Sequence, residues 1–235
     1  MSRLPLTILM ITAIAGIPLA GQDPAKIDAR HHTVLLENDL VRVLRSTYAP
    51  GERSPMHEHP PNVSIMLDDV NFQVEFSDGE KATVPLKAGR VDWGPGSTHA
   101  LRSLSDQTVR VVMVEFKDAD IAEGVRQRVS PPHAIELAPG MTGEALIDNA
   151  LVAVRRVTVE PGASREPHTN AERDLLVLPR VGILTLTIGR QSLRLEPGQA
   201  FLVEHGWEHA EANDGSEPIE WIALLIEHHE DATAR

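Results

Sequence analysis

The 235-residue chain contains no cysteine. That excludes disulfides, thiolate catalysis and Cys-ligated zinc. Aromatic residues are scarce at 3%, so any core must be built from Val, Leu, Ile and Ala. Positive charge is also short, with 22 Lys and Arg against 34 Asp and Glu, a net charge of -12. No basic cluster offsets this balance, which argues against nucleic acid and anionic membrane surfaces as partners. What the chain does have is 42% hydrophobic residues, enough for a real core and too many for a disordered chain.

The first twenty residues read as an export signal. Arg3 gives a short positive start, and Leu4 to Pro18 is apolar but too short and interrupted for a membrane span. Pro18-Leu19-Ala20 offers a small residue before a cut near Gly21, and no cysteine follows to carry a lipid. The expectation is a periplasmic or secreted protein with no membrane anchor once residues 1–20 are removed.

Residues 21–32 read as an irregular polar arm. From Val34 onward, short apolar runs alternate with turn signals. Val41-Arg42-Val43-Leu44, Val63 to Leu67, Asn71 to Phe76 and Val109 to Phe116 each read as strands, and Ser77-Asp78-Gly79-Glu80 as a hairpin turn. Many short strands at close spacing indicate an all-β sandwich or barrel. Asp118 to Gln127 is the one stretch with helical character, and Ser130-Pro131-Pro132 breaks the chain.

The pattern then repeats. Glu37-Asn38-Asp39-Leu40-Val41 returns as Asp148-Asn149-Ala150-Leu151-Val152, and Ala49-Pro50-Gly51 as Glu160-Pro161-Gly162, both at an offset of 111 residues. The same offset carries His57 onto His168 and His59 onto Asn170. Lys87-Ala88-Gly89 answers to Glu196-Pro197-Gly198, and His99 to His209, with small indels between. Two homologous β domains are expected, 33–118 and 140–228, with a linker and short helix over 119–139.

His57 and His59 stand at i and i+2, so a strand projects both to one face. His99 follows a Gly-Pro-Gly turn about forty residues on. Three imidazoles with open positions suit a reactive metal site rather than a closed structural one. Imidazole alone does not choose among iron, manganese, zinc, nickel and copper.

These residues resemble the cupins. The family's first motif reads G-x5-H-x-H-x3-4-E-x6-G and its second G-x5-P-x-G-x2-H-x3-N. Gly51, His57 and His59 match the front of the first; Gly89, Pro95, Gly96 and His99 approximate the second. In the second half, Gly162 and His168 match motif one, and Gly198, Gly206, His209 and Asn213 match motif two. The resemblance implies two tandem cupin-type β-barrels (double-stranded β-helix or jelly roll) joined by a short helix, with motif histidines holding a divalent metal. The motif-one glutamate should fall at Val63 or Ser64, and neither is an acid. Some cupin dioxygenases carry a three-histidine iron centre, so the resemblance still allows metal and oxygen chemistry. Asp92 and Glu75 are candidates to replace the missing acid.

The expected metal ligands are therefore His57, His59 and His99. His168, Asn170, Asp174 and His209 form a second candidate set, expected to be weak or degenerate because Asn170 is a poor ligand for a transition metal. Asn62, Trp93 and Trp207 are candidates to line a ligand pocket. His31, His32, His133, His205, His228 and His229 read as ordinary hydrogen-bonding or solvated groups. The implied function is an exported metal-binding two-barrel protein, a metal-dependent oxygenase, lyase or isomerase acting on a small organic molecule. The alternative is a non-catalytic periplasmic protein that captures a small ligand or metal. A monomer or homodimer fits either.

Overall fold

A computed structural model describes residues 22–117 and 134–228. The expected export signal, the expected helix at Asp118 to Gln127 and the Ser130-Pro131-Pro132 break lie outside the described residues. The described chain is nearly all strand, as the spacing of turn signals implies. Its one helix, α1 (Pro24–Ile27), is a single turn inside the arm read from sequence as irregular. Asp23 caps it, accepting the Ala25 amide, and Pro24 fills the first helical position, where a missing N–H costs nothing. No helix among the described residues is long and apolar enough to cross a membrane.

The first half builds nine strands: β1 (His32–Glu37), β2 (Val41–Tyr48), β3 (His57–His59), β4 (Asn62–Met66), β5 (Val70–Phe76), β6 (Lys81–Leu86), β7 (Val91–Gly94), β8 (Ser97–Ser103) and β9 (Val109–Phe116). They form two antiparallel sheets, ordered β1-β2-β9-β4-β7 and β3-β8-β5-β6. The second half adds β10 (Ala134–Ala138), β11 (Met141–Asp148), β12 (Val152–Val159), β13 (Arg173–Val181), β14 (Leu184–Ile188), β15 (Gln191–Leu195), β16 (Phe201–Val203), β17 (His209–Ala212) and β18 (Ile219–Glu227). Its sheets run β10-β11-β12-β18-β13-β16 and β15-β14-β17. Leaving out β10, the larger sheet repeats the order of its counterpart strand for strand. In place of a partner for β3, the second half has the isolated bridges Ser164↔Ala212 and His168↔His209.

Turn chemistry repeats with the strands. The Asn38 side chain accepts the amides of Leu40 and Val41, and Asn149 accepts those of Leu151 and Val152. Gly51 and Gly162 both adopt positive φ, +77° and +74°, a conformation glycine takes without Cβ strain.

Register explains the core. Val109 and Val111 face the first barrel's interior, while Val112, Val114 and Phe116 on the same strand face out. A strand buried on both faces reads as a continuous apolar run, which here is Val111 to Val114 at the centre of β9. The outward residues meet their counterparts from the second barrel. Val43 pairs with Val114 as Val154 pairs with Leu224, and Ile65 pairs with Val112 as Leu178 pairs with Ile222. All eight belong to one buried cluster drawn from both halves. A second cluster, including Val177, Leu186 and Trp221, fills the second barrel. Because the inter-barrel cluster is shared, Ile222→Ala should cost about 2–5 kcal/mol and act on both halves. Denaturant unfolding of that variant should remain one coincident transition by Trp fluorescence and by circular dichroism; two separated transitions would show the barrels to be independent.

Candidate metal centre

The first barrel brings His57, His59 and His99 together. β3 pairs antiparallel with β8, placing His57 directly opposite His99 and His59 opposite Ser97. Pleating then turns His57 and His59 inward and Glu58 away. Ring centroids lie 4.8 Å apart for His57–His59 and for His57–His99, and 5.4 Å for His59–His99. One nitrogen from each ring lies within 4.8 Å of one from each of the others. Gly96, at φ +96°, makes the turn into β8 possible. A Cβ there would stand 2.9 Å from the His59 carbonyl oxygen, so only glycine lets the turn pass this close to a ligand.

Each ring is anchored through Nδ1. His57 Nδ1–H donates to the Pro55 carbonyl at 2.9 Å, and His59 Nδ1–H donates to Glu115 Oε1 at 2.6 Å. A carbonyl and a carboxylate can only accept, so both rings keep a lone pair on Nε2. Those two Nε2 atoms are buried and have no hydrogen-bond partner among the described residues. His99 Nδ1 pairs with Ser97 Oγ at 2.9 Å. Burial lowers the pKa of His57, carries that of His99 well below its usual value and takes that of His59 to about 3, the neighbouring imidazoles adding to the effect on the last two. The rings are therefore neutral, the form a metal requires.

Glu115, unsuspected from sequence, is the acid of this site. It is 1% exposed and sits on β9 directly opposite Asn62. Burial raises its pKa, and Arg42 opposes that by donating to Oε2 through Nε at 2.7 Å and Nη2 at 2.6 Å. Both oxygens are thus engaged, and Glu115 orients His59 rather than offering itself as a ligand. The available signal was a lone acid in a mostly apolar strand, VRVVMVEF. His32, read from sequence as ordinary, is also buried here. Its ring centroid lies 5.0 Å from His57 and 6.0 Å from His59, while its nitrogens pair with Ser46 Oγ and Tyr48 Oη. Burial, with His57 and His59 adding to it, takes its pKa to about 3.

The other expected residues divide between the two faces. Asn62 is buried on the Glu115 side and donates to the Pro60 carbonyl. Trp93 pairs with Val63 and shares its outward face, so it packs against Phe116 in the inter-barrel core rather than facing the first barrel's interior. Trp207 is 43% exposed on the turn before His209. Asp92 is ion-paired with Arg90, and Glu75 with Lys81 and Arg53, so neither replaces the missing acid.

In the second barrel, His168 and His209 face each other with ring centroids 4.3 Å apart. Their Nδ1–H groups donate to the Glu166 and Trp207 carbonyls, again leaving Nε2 free of a backbone partner. Asp174 does not join them. It alternates in phase with Leu176 and Leu178 toward the outward face, where it accepts from His205 and His228. The carboxylate that does join is Glu211, two residues past His209 on the same face of β17, with Oε1 3.6 Å from His209 Nε2 and 3.9 Å from His168 Nε2. Burial raises its pKa, and both its oxygens lack hydrogen-bond partners among the described residues. Asn170 stands at the margin, its amide nitrogen 3.5 Å from His209 Nε2.

Both sets fit a divalent metal: imidazoles fixed through Nδ1, and buried donor atoms left unpaired. Residues 155–225 match a cupin domain family. No curated protein matches the chain. Solved structures of similar fold include AerE from Microcystis aeruginosa, 15% identical over 84% of this chain and 98% of that one, with a TM-score of 0.62. Oxalate decarboxylase from Bacillus subtilis is 14% identical over 84% and 72%, TM-score 0.60; a further structure of that enzyme is described by its Mn(II) centres. Salicylate 1,2-dioxygenase from Pseudoaminobacter salicylatoxidans is 11% identical over 80% and 71%, TM-score 0.59.

The depressed histidines set a pH dependence. Below about pH 6.5 the unfolded chain takes up protons that the buried native rings refuse, so their stabilisation is complete above that pH and lost as pH falls toward 3. Each such ring removes up to ~1.4 kcal/mol per pH unit inside the window. Thermal melts of metal-free protein should therefore fall steadily from pH 7 to pH 5; a flat profile would contradict the buried neutral cluster.

Proposed function

We propose that this two-barrel protein, with a cupin domain at residues 155–225, binds a divalent transition metal in its first barrel on His57, His59 and His99. The observation that carries this reading is the pair of buried, unpartnered Nε2 atoms on rings whose Nδ1–H groups are already committed. An unsatisfied buried nitrogen costs about 1–3 kcal/mol, and a metal ion is the partner that satisfies several at one point. When bound, the ion supplies Lewis-acid or redox chemistry at the coordination positions three ligands leave open. The protein holds the rings neutral and oriented, and Glu115 with Arg42 keeps a compensated charge pair beside them. This supports a metal-dependent oxygenase, lyase or isomerase acting on a small organic molecule. A non-catalytic capture protein would use the same ligands without turnover.

The second barrel offers its own centre, His168, His209 and Glu211, favoured by the unpaired Glu211 oxygens and His168 Nε2. One carboxylate gives this set a negative charge that the first lacks, which shifts its preference toward harder ions such as manganese or iron(II).

Elemental analysis of protein purified from its own compartment should show two equivalents of divalent metal. His57→Ala should remove one and Glu211→Gln the other. Absence of stoichiometric metal overturns the reading, and full metal without turnover on a substrate panel selects the capture role.

The segment from Arg3 to Ala20 supports export to the periplasm or beyond. Cell fractionation should recover a chain shortened near Gly21 outside the cytoplasm; full-length protein in the cytoplasmic fraction overturns this.

A further inference from the structure

We propose that the N-terminal arm, residues 22–31, is a working part of the first-barrel centre, so that its docking sets metal affinity and metal binding tightens the arm. This rests on the metal reading of His57, His59 and His99.

An unbroken chain of charge-assisted hydrogen bonds leads from the arm to a ligand. Asp23, which caps α1, accepts from Arg42 Nη1 on both oxygens, at 2.9 and 3.0 Å. Arg42 grips Glu115 through its other nitrogens, and Glu115 holds His59 at 2.6 Å. Among the described residues, Arg42 pairs with no carboxylate besides these two. With Asp23 withdrawn, one edge of its guanidinium is left unmatched beside the Glu115 carboxylate that aligns His59. A second contact runs through the backbone. The Glu58 amide, between the two β3 ligands, donates to the Gln22 carbonyl at 3.0 Å.

The far end of the arm is fixed as firmly. His31 is 2% exposed, bonds Asp28 at 2.6 Å and stacks on Tyr48 at 4.4 Å between centroids. The next residue is His32, edge-on to His57 and His59. The arm thus begins at the backbone between two ligands and ends against their rings. Asp23 and Arg42 are positioning residues, acting on the metal only through Glu115 and His59.

Binding couplings are reciprocal, so an arm that improves metal affinity must itself be stabilised by metal to the same factor. A merely structural arm has no such obligation.

The test uses the full chain carrying His168→Ala and His205→Ala, which removes a ligand from each of the other two groups that could hold a metal, with Zn(II) competed against a chelator. Glu115→Gln should weaken binding about 10–100-fold. Asp23→Asn, at a partly exposed position where folding is safe, should weaken it about five-fold or more. Asp68→Asn, which breaks a comparable ion pair with Arg110 at the other end of β9, should leave affinity unchanged. Hydrogen exchange at the Ile27, Asp28 and His31 amides should slow when Zn(II) is added to the chain that keeps Asp23, and slow less in Asp23→Asn. Equal affinity with and without the Asp23→Asn change, or arm exchange indifferent to Zn(II), overturns the coupling while leaving the metal reading intact. No Zn(II) binding by the chain carrying only His168→Ala and His205→Ala overturns the metal reading first.

Discussion

The first barrel depends on keeping unprotonated imidazoles out of water. A buried neutral ring is tolerable only if its polar nitrogens are used, and here Nδ1 is used by the protein and Nε2 is withheld. The Pro55 carbonyl, the Glu115 carboxylate and the Ser97 hydroxyl each take one Nδ1. These three partners come from separate segments, so β3, β8 and β9 must all be in register before the ligands are aimed. The second barrel solves the same problem with backbone carbonyls alone. It therefore needs no Arg42 equivalent, and its acid is free to face the two histidines directly.

Much of the fold was legible because repeats are carried by local turn chemistry. Asn38 and Asn149 make the same two amide contacts, and Gly51 and Gly162 the same positive-φ turn, so a constant offset in sequence became a constant geometry. His57, His59 and His99 were legible for a related reason: i, i+2 spacing fixes a shared face, and the Gly94-Pro95-Gly96 turn sets where β8, with His99, begins. Glu115 was not legible, because it lies 56 residues from the ring it supports and an isolated acid in an apolar strand does not reveal which face it takes. Asp23 and Arg42 were hidden the same way, in an arm without regular pattern and in a strand that carries a second arginine, Arg45.

Where family spacing misled, strand parity is the reason. Asp174 occupies the motif position for an acid but sits in phase with Leu176 and Leu178, whose side chains leave the barrel. Trp93 precedes a motif histidine but follows Val63 to the outward face. In both cases counting residues gave the right neighbourhood and the wrong side of the sheet. Glu211 obeyed parity all along, two residues after His209, and lay outside the motif used to search for it.

The matched outward faces of the two barrels have a further consequence. Val43 and Val154, Val112 and Ile222, Val114 and Leu224 stand at equivalent places on surfaces that cover one another, which is the relation found in an isologous dimer of identical subunits. In a dimer of two identical chains every change strikes both sites at once. Joined in one polypeptide, the two copies keep their mutual face and are free to differ behind it. Asn170 against His59, and Glu211 against Leu101, are differences that a pair of identical chains could not hold.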